Sequence, residues 1–275
     1  MVGFLFITVI FSLTKLSAST PISLDTASDF AVLAGSGIVN TNPSVIVGDA
    51  GSSPTTTNGL TAGEVTGTNY TVASAEVDLA KTHLTSAYLD AEALGATTIP
   101  TELGGNTILA GVYETASGEF GITGTVTLDA EGNPDAVFVF QSGSTLITAS
   151  NSVVLLVNEA QACNVYWQVT SSATLGTNSL FNGNIMALAS ITDDGGSTIF
   201  GRLLAQTGAV TLNDTHITKA DCDIPTPSPT PTSPSSNGSR SGDFKRCDTP
   251  TTPTCVEYFA SEVVPNIPNI EGGKG

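Results

Sequence analysis

Residues 201–218 of the chain, GRLLAQTGAVTLNDTHIT, decide which fold class the sequence predicts. Apolar and polar side chains alternate over residues 209–212 and again over residues 215–218, with an Asn-Asp break between the two segments. Alternation with a period of two is typical of a β-strand that has one buried face. Threonine occupies many of the polar positions, where a strand normally carries charged residues, and this preference needs a physical explanation.

Two preceding segments align with this stretch and reveal a repeat. Residues 163–183 read CNVYWQVTSSATLGTNSLFNG and residues 183–201 read GNIMALASITDDGGSTIFG, so that glycines mark equivalent corners 18 residues apart. Each segment has an apolar strand, a strand with threonine and a third short strand, separated by turns. This pattern predicts a β-solenoid, with Phe181 and Ile199 in one inward column. A β-sandwich fits less well, because Asn-Gly hairpin turns are scarce and the period is regular.

One segment, residues 72–94, predicts an α-helix. Small apolar residues recur there every three or four positions, and Gly95 supplies a stop signal. An alanine-rich stripe suits close packing against a flat sheet. The stripe consists of Ala73, Val77, Ala80, Leu84, Ala87, Ala91 and Leu94.

The charge balance excludes two classes of partner. The chain has 275 residues with 25 acidic and 8 basic side chains, a formal net charge of −17. Nucleic acids and anionic membrane surfaces require clustered Lys and Arg, so neither is expected as a partner. Charged residues form 12% of the chain, against about 25% in ordinary soluble domains. With 40 threonines and 28 glycines, the polar surface must be built mainly from hydroxyl and backbone groups.

Both ends of the chain differ in composition from its centre. Residues 1–19 read as a secretory signal peptide, because their apolar run is too short to span a bilayer and small residues follow it. An uncleaved membrane anchor is the alternative, since no basic residue precedes Lys15. Residues 20–222 form the predicted domain, 223–242 a linker rich in Pro, Ser and Thr, and 243–275 a Cys-containing tail of unknown role. The protein is therefore expected to be secreted and extracellular.

Four cysteines suit an oxidising compartment and two disulfides, although their spacing does not fix the pairing. Cys163 opens the apolar strand of one coil and Cys222 ends the last coil, so a bridge between them would pin one end of the solenoid. Cys247 and Cys255 would then close the tail. No CxxC spacing or histidine cluster is present, so no metal site is expected. Sequons that allow N-glycosylation in a eukaryotic host occur at Asn69, Asn213 and Asn237.

No catalytic residue is predicted. Asp193, Asp194 and Asp214 could suggest a carboxylate or calcium site, but aspartates in solenoid turns usually serve the turns themselves. Tyr166 and Trp167 lie in an apolar strand and are interpreted as core residues. The predicted domain has three scattered basic residues and two isolated histidines, so neither a cofactor nor a small-molecule substrate is expected. These residues are Lys81, Arg202, Lys219, His83 and His216.

Several ordered blocks of the sequence resemble the microbial secreted ice-binding protein family, the β-solenoid antifreeze proteins of cold-adapted microorganisms. The blocks include LDTASDFAVLAGSGIVNTNPSVIVGDAGSSP at 24–54, LAGVYE at 109–114, GTVTLDAEGNPDAVFVFQ at 124–141 and the stretch at 201–218. The resemblance covers residues 24–222, and it implies that the partner is an ice crystal surface.

The resemblance also implies the details of the fold. The family fold is a right-handed discontinuous β-solenoid of triangular cross-section, dominated by β-strands, with one long α-helix packed alongside. Residues 30–47 are expected to return and pair with the C-terminal coils, and residues 50–70 to form a capping insertion.

Ice presents water oxygens at fixed spacings, so a protein that binds it needs a flat, regular and weakly hydrated face. Threonine supplies a methyl group that disfavours bulk hydration, a hydroxyl that anchors ordered water, and a stiff χ1. Coils stacked about 4.8 Å apart supply the regularity. Charged side chains would disrupt the ordered water. The scarcity of charged residues and the threonines in polar strand positions therefore have the same explanation.

The predicted ice-binding face follows from which strand residues point outward. Alternation places Thr125, Thr127 and Thr198 outward. If Val45 and Val47 point inward, Ser44 and Ile46 point outward. Ser152, Ser179 and Thr215 lie on the corresponding strands, and their direction is left open. The predicted face comprises Ser44, Ile46, Thr125, Thr127, Ser152, Ser179, Thr198 and Thr215.

Two other functions are compatible with the sequence. An extracellular adhesion or cell-wall-associated structural protein would use the linker and tail to attach to a cell surface or matrix, and cell fractionation would distinguish it from a freely secreted protein. A polysaccharide-active enzyme on a solenoid scaffold would need a cleft with a perturbed acid pair, which the sequence does not supply.

This choice of face predicts that Thr198→Tyr lowers ice binding without lowering Tm, because a bulky ring would hold the flat face away from the crystal. Ice-affinity partitioning and thermal unfolding measure the two effects. Retained activity after Tyr replacement at Thr125, Thr127 and Thr198 would exclude this face.

Overall fold

The computed structural model describes residues 21–222, which belong to the first of the two units, Met1–Ile224 and Pro225–Gly275, into which the chain divides. Within the described range no helix is long and apolar enough to cross a membrane. The expectations for the signal peptide, the linker and the tail concern residues outside this range, as do those for Cys247, Cys255 and Asn237.

The described residues form a β-solenoid with a single α-helix, which confirms the predicted fold class. Helix α1 spans Ala75–Glu92. All the strands pair in parallel, as expected for coils that stack on one another. In chain order the strands are β1 (Phe30–Ala34), β2 (Gly37–Asn40), β3 (Val45–Val47), β4 (Asp49–Ser52), β5 (Thr97–Ile99), β6 (Thr107–Leu109), β7 (Gly111–Thr115), β8 (Phe120–Ile122), β9 (Thr125–Asp129), β10 (Phe138–Ser142), β11 (Leu146–Thr148), β12 (Val153–Val157), β13 (Val165–Val169), β14 (Ala173–Leu175), β15 (Leu180–Ala187), β16 (Ile191–Asp193), β17 (Thr198–Ala205), β18 (Ala209–Leu212) and β19 (His216–Thr218).

The coils contribute to three sheet faces, which we name by their outer surfaces. The helix face is formed by β1, β4, β5, β7, β10, β13 and the second halves of β15 and β17. The threonine face is a six-stranded sheet in the order β2-β18-β16-β14-β11-β8. The mixed face is formed by β3, β19, the first halves of β17 and β15, and β12, β9 and β6. Strands β15 and β17 turn from the mixed face to the helix face at Gly183 and Gly201, which pair with each other.

The interior is filled by columns of large side chains that stack from coil to coil. The rings of Phe140 and Trp167, which pair in register, stack with their centroids 4.1 Å apart. Phe181 contacts Trp167 from the mixed face, with its ring centroid 5.4 Å away. Phe181 and Ile199 are fully buried and paired, which confirms the inward column predicted from the corner glycines. Equivalent positions in successive coils therefore pack directly on each other.

The first strands of the chain close the C-terminal end of the solenoid. β1, β2 and β3 pair with β17, β18 and β19. Residues 50–70 lie over this closing coil, where single bridges join Ile38 to Asn58 and Ile46 to Val65. The order of coils along the axis thus differs from their order in the sequence. Both the returning N-terminal segment and the capping insertion are confirmed.

Helix α1 covers the helix face. Ser74 caps its N-terminus by accepting a hydrogen bond from the Glu76 amide at 3.2 Å. The Lys81 ammonium group donates to the carbonyls of Ala205 and Gln206 at 2.5 and 2.6 Å, where β17 ends. The helix is shorter than the predicted 72–94, so Ala73 and Leu94 lie beyond its ends. Its buried residues, Val77, Ala80, Leu84, Ala87, Tyr88 and Ala91, pack on Leu33, Val139, Tyr166, Met186 and Leu204.

A disulfide between Cys163 and Cys222 is present, as predicted from the positions of the two residues. Beside it, the buried guanidinium group of Arg202 donates to the Ser28 carbonyl at 2.7 Å and to the Asp221 carboxylate at 3.1 Å. The disulfide ties the last described residues to the segment before β13, and Arg202 of β17 links Asp221 to Ser28 near the start of the described residues.

The corner at Gly201 leaves no room for a side chain. A Cβ there would lie 1.8 Å from the Gly183 carbonyl oxygen, and φ is +151°. We expect Gly201→Ala to lower the free energy of unfolding by about 2–4 kcal/mol, because the stacked backbone cannot move aside. Urea unfolding measures this change. Gly63→Ala, where no atom lies within 4 Å, is the control, and equal stability of the two variants would contradict the expectation.

Candidate functional site

The threonine face carries a column of outward side chains in register. Thr174, Thr192 and Thr211 lie on the successive strands β14, β16 and β18, and each pairs with the next. Each of the three threonines lies between two buried neighbours in its strand, and its own side chain therefore points outward. The column continues to Ile147 and Gly121 at one end and to Val39 at the other.

The residues that precede this column on its strands are small and uncharged, whereas the exposed side chain of Asp194 follows Thr192 by two residues. Thr145, Ser172, Ser190 and Ala209 stand two residues before a column position on four consecutive strands, and all four are half-buried. They therefore lie on the same side of the sheet as the column. Five steps of about 4.8 Å make the column roughly 24 Å long, and stacking keeps such a sheet flatter than an open one.

The column threonines have free hydroxyl groups. Within residues 21–222, the hydroxyls of Thr174, Thr192 and Thr211 have no hydrogen-bond partner. Their stiff χ1 angles hold these hydroxyls and the adjacent methyl groups in one repeated orientation. The arrangement can therefore order a row of water molecules on a weakly hydrated surface.

The mixed face lacks the repeated outward side chain of the threonine face. Large apolar side chains are exposed on both faces: Leu155 and Phe200 of the mixed face are 42% and 45% exposed, and Ile147 and Val39 at the ends of the threonine column are 44% and 47% exposed. Thr198 stands between Leu180 and His216, whose side chains differ in size and chemistry. Among the described strands of this face, no threonine has threonines on both sides.

Three of the eight residues predicted for the binding face point outward. Thr125, Thr127 and Thr198 lie on the mixed face with the predicted orientation, and the intervening residues Val126 and Leu128 are fully buried. The role of these three threonines in binding stays a prediction.

The other five residues of the predicted face point inward, so the outward orientation predicted for Ser44 and Ile46 is wrong, and the direction left open for Ser152, Ser179 and Thr215 is inward. Ser44, Ile46, Ser152, Ser179 and Thr215 are buried, with at most 2% of their surfaces exposed. They cannot touch an external surface. All but the isoleucine carry hydroxyl groups, and these find partners inside the solenoid, as in the 3.1 Å hydrogen bond between Ser152 and Ser179.

The error at Ser44 and Ile46 is a shift of the strand pattern by one residue. Val45 and Val47, assumed to point inward, are 46% and 37% exposed. Ser44 turns inward because its hydroxyl donates to the side-chain oxygen of Asn40 at 2.8 Å. The alternation of β3 then follows from this corner, since side chains in a strand alternate between its two faces.

Glu64 and Glu102 lie at the two ends of the solenoid, and Glu102 pairs with Gly121 at one end of the threonine column. Glu102 accepts hydrogen bonds from the amides of Gly104 and Thr123 at 2.7 and 2.8 Å. Burial raises the pKa of Glu102, but these hydrogen bonds outweigh it and the net pKa is lowered. In the capping insertion, a hydrogen bond from the Thr61 amide at 2.6 Å lowers the pKa of Glu64.

The pKa values of Glu64 and Glu102 predict a loss of stability in acid. A carboxyl group whose pKa is lower in the folded state stabilises the fold above its unfolded pKa, and this contribution is lost as the pH falls. We expect the free energy of unfolding to decrease as the pH falls below the ordinary value of 4.5, and Glu102→Gln to make the decrease shallower. Urea unfolding at a series of pH values measures it. An unchanged slope in Glu102→Gln would contradict the assignment.

The other polar residues singled out from the sequence lie apart from one another. Asp193 is buried whereas Asp194 is exposed, so the two carboxylates do not converge. The His83 ring nitrogen Nδ1 contacts the Thr26 hydroxyl at 2.8 Å, and His216 is exposed on the mixed face. Within residues 21–222 no group of three or more His, Cys, Asp and Glu side chains could hold a metal ion.

Two of the predicted sequons lie within the described range. The side-chain amide of Asn69 donates to the Leu60 carbonyl at 3.1 Å, and that of Asn213 donates to the Asp194 carbonyl at 2.9 Å. Both asparagines are half-buried. A glycan would replace one of the two amide hydrogens, so the remaining N–H would have to serve this hydrogen bond.

The column threonines were not among the residues predicted for the binding face. A sequence signal for them exists, because Thr174 precedes Gly183 by the same nine residues by which Thr192 precedes Gly201. Equal offsets from the corners place the two residues on equivalent strands. Their outward direction depends on the tertiary structure.

The chain is similar to proteins of one family. The family model described as Ice-binding-like matches residues 32–218. An ice-binding protein of Nostoc sp. (strain HG1) is 42% identical over 232 residues, which cover 82% of this chain and 84% of the relative. An ice-binding protein of Colwellia sp. is 36% identical over 71% of this chain and 83% of its own length.

Solved structures of ice-binding proteins have the same fold. The crystal structure of an ice binding protein from an Antarctic biological consortium matches with a TM-score of 0.69 and 41% identity, over 79% of this chain and 96% of that one. A domain of Shewanella frigidimarina ice-binding protein 1 matches with a TM-score of 0.67 and 34% identity, over 74% and 99% of the two chains.

Proposed function

The chain belongs to the Ice-binding-like family, and we propose that it is a secreted ice-binding protein that adsorbs to ice through its threonine face. The relatives described above are named for binding ice. Their similarity extends over most of this chain and most of their own lengths, so it covers the whole solenoid.

The choice of the threonine face as the binding site rests on the column formed by Thr174, Thr192 and Thr211. These residues place identical side chains on three successive strands in register. Their spacing of about 4.8 Å is set by the backbone ladder and does not depend on side-chain flexibility. The neighbouring serines and alanine are small, so the threonine methyl and hydroxyl groups can meet a flat crystal surface together.

The mechanism of binding follows from the chemistry of this column. The hydroxyls can bond to water oxygens, while the methyl groups favour water that is ordered over the face rather than bulk hydration. Each contact is weak, and many must form together. A rigid face loses little conformational entropy when it binds. The favourable free energy of the many weak contacts is therefore not offset by an entropy loss.

Adsorption then inhibits growth without any chemical reaction. Protein molecules fixed on the crystal force the ice front to curve between them, and the curved surface melts more readily than a flat one. Because the protein acts by occupying the surface, it limits both the growth and the recrystallisation of ice. The proposal requires no cofactor and no small-molecule substrate.

The mixed face is less suited to this mechanism. Among its described strands no threonine has a threonine on both sides, so its outward side chains do not repeat from coil to coil as those of Thr174, Thr192 and Thr211 do. The mixed face remains the site that the sequence predicts, and a matched pair of variants distinguishes the two faces.

Two alternatives to ice binding receive less support. The adhesion hypothesis rests on the linker and tail, residues 223–275, which lie outside the described residues. A polysaccharide-active enzyme would need an acid with a raised pKa in a cleft. At the turn that gathers Asp129, Glu131 and Glu159, hydrogen bonds from the Asn158 amide and the Glu131 backbone instead lower the pKa of Asp129.

The two faces make opposite predictions for a pair of tyrosine variants. If the threonine face binds, Thr192→Tyr should lower ice affinity roughly tenfold, about 1.4 kcal/mol, because the ring would stand above the column. Thr198→Tyr should leave affinity unchanged. Both positions are outward and half-buried, so Tm should change little in either variant. Ice-affinity partitioning of the mature chain, with thermal unfolding beside it, gives both readouts.

Each outcome of this experiment has a distinct meaning. Loss of binding in Thr198→Tyr alone would move the site to the mixed face. Failure of the folded wild-type protein to enter ice would overturn the proposed function itself and would favour the adhesion hypothesis.

A further inference from the structure

A buried carboxylate lies directly behind the threonine column. Asp193, the residue after Thr192, is 1% exposed. It accepts hydrogen bonds from the hydroxyls of Ser197 and Thr215 at 2.5 and 2.6 Å and from the Gly195 amide at 3.3 Å. Hydroxyl and amide donors thus engage both of its oxygens.

Within residues 21–222 no Lys or Arg side chain contacts this carboxylate. Lys81, Arg202 and Lys219 are the basic residues of the described range, and each is engaged elsewhere, with carbonyl groups or with Asp221. A buried carboxylate without hydrogen bonds would be strongly unfavourable. The Ser197 and Thr215 hydroxyls and the Gly195 amide therefore keep their positions, because a shift of any of them would leave the buried carboxylate with fewer hydrogen bonds.

The hydrogen bonds of Asp193 connect neighbouring coils. Ser197 follows β16 in the same coil, whereas Thr215 follows β18 in the next coil along the axis. Asp193 therefore bridges the strand that carries Thr192 and the strand that carries Thr211, at the corner between the threonine face and the mixed face.

The chain of hydrogen bonds continues in both directions from this carboxylate. The Ser197 hydroxyl shares its one proton between Asp193 at 2.5 Å and, weakly, the Gly176 carbonyl at 3.4 Å, just after β14, and the Ser179 hydroxyl donates to the same carbonyl at 2.6 Å. On the other side, the Thr215 amide donates to the Ser44 hydroxyl at 3.1 Å. One buried polar chain therefore runs behind the strands of all three column threonines.

We propose that Asp193 is a positioning residue for ice binding, which holds Thr192 and Thr211 in register by linking their two coils through Ser197 and Thr215. This inference rests on the proposed function and deepens it. Asp193 cannot touch ice, because its side chain points into the solenoid. It acts by fixing the offset between the coils, on which the flatness of the threonine column depends.

The test compares Asp193→Ala with Asp193→Asn in the full mature chain. Alanine leaves the Ser197 and Thr215 hydroxyls without their acceptor. Asparagine keeps an oxygen for Ser197, and its amide can donate to the Thr215 hydroxyl oxygen. We expect ice affinity to fall about tenfold in Asp193→Ala and to be largely retained in Asp193→Asn.

Asn184→Ala is the matched control for loss of stability. Asn184 is also fully buried in a polar network, where its side-chain oxygen accepts from Arg202 at 2.9 Å, but it lies on the helix face. We expect this variant to lower Tm while ice affinity at 0 °C or below is unchanged. Equal losses of ice affinity in Asn184→Ala and Asp193→Ala would overturn the positioning role.

Thr215→Val provides a second variant if Asp193→Ala does not fold. Valine keeps the volume of threonine and removes the hydroxyl that links the two coils. Its ice affinity should also fall, and the set of crystal planes that it covers on a single-crystal ice hemisphere should change. Wild-type affinity in a folded Thr215→Val or Asp193→Ala variant would overturn the proposal.

Thr192→Tyr and the wild-type protein, measured alongside, separate this inference from the proposed function. If the wild type binds ice and Thr192→Tyr does not, the threonine face is the site, and the Asp193 variants test positioning alone. If the wild type does not bind, the proposed function fails first.

Discussion

The parallel, in-register stacking of coils is the constraint on which the rest of this protein depends. Backbone hydrogen bonds between equivalent strands place each residue directly over its counterpart in the next coil. Inward columns, such as Phe140, Trp167 and Ile185, then form a continuous core. Outward columns acquire the same regular spacing without any direct contact between their side chains having to enforce it.

Corners are the costly part of such a structure, because the chain must turn while the ladder continues. Gly183 and Gly201 solve the problem where the mixed face meets the helix face, since backbone atoms of one corner pack against the next. At the corner between the mixed face and the threonine face the solution is polar. Hydroxyl groups and the Asp193 carboxylate satisfy one another inside the solenoid, where the backbone alone would leave them unpaired.

The three faces of the solenoid differ in what lies on their outer surfaces. One face is covered by α1, and its apolar outer residues become a second core. The column residues Thr174, Thr192 and Thr211 are uncharged, and the exposed carboxylate of Asp194 stands at the edge of their face. Carboxylates such as those of Glu64 and Glu102 lie at the ends of the solenoid, where they accept hydrogen bonds from backbone amides.

Local patterns in the sequence determined the fold class, the single helix, the inward column through Phe181 and Ile199, and the positions that suggested the disulfide. These features depend on periods of two, three to four and about eighteen residues, which can be read along the chain. The resemblance to a known family added the return of the first strands to the last coil, which no local pattern contains.

Only the tertiary structure decided which hydroxyl residues face solvent. A period-two pattern determines that neighbours point to opposite sides, but its phase is reset at every turn, so Ser44 points inward and Val45 outward. Threonine and serine are compatible with either side, because a hydroxyl can be buried wherever an adjacent coil provides a partner. Those partners are distant in sequence, as with Asp193 and Thr215, and therefore Thr215 is buried while Thr192 and Thr211 form the exposed column.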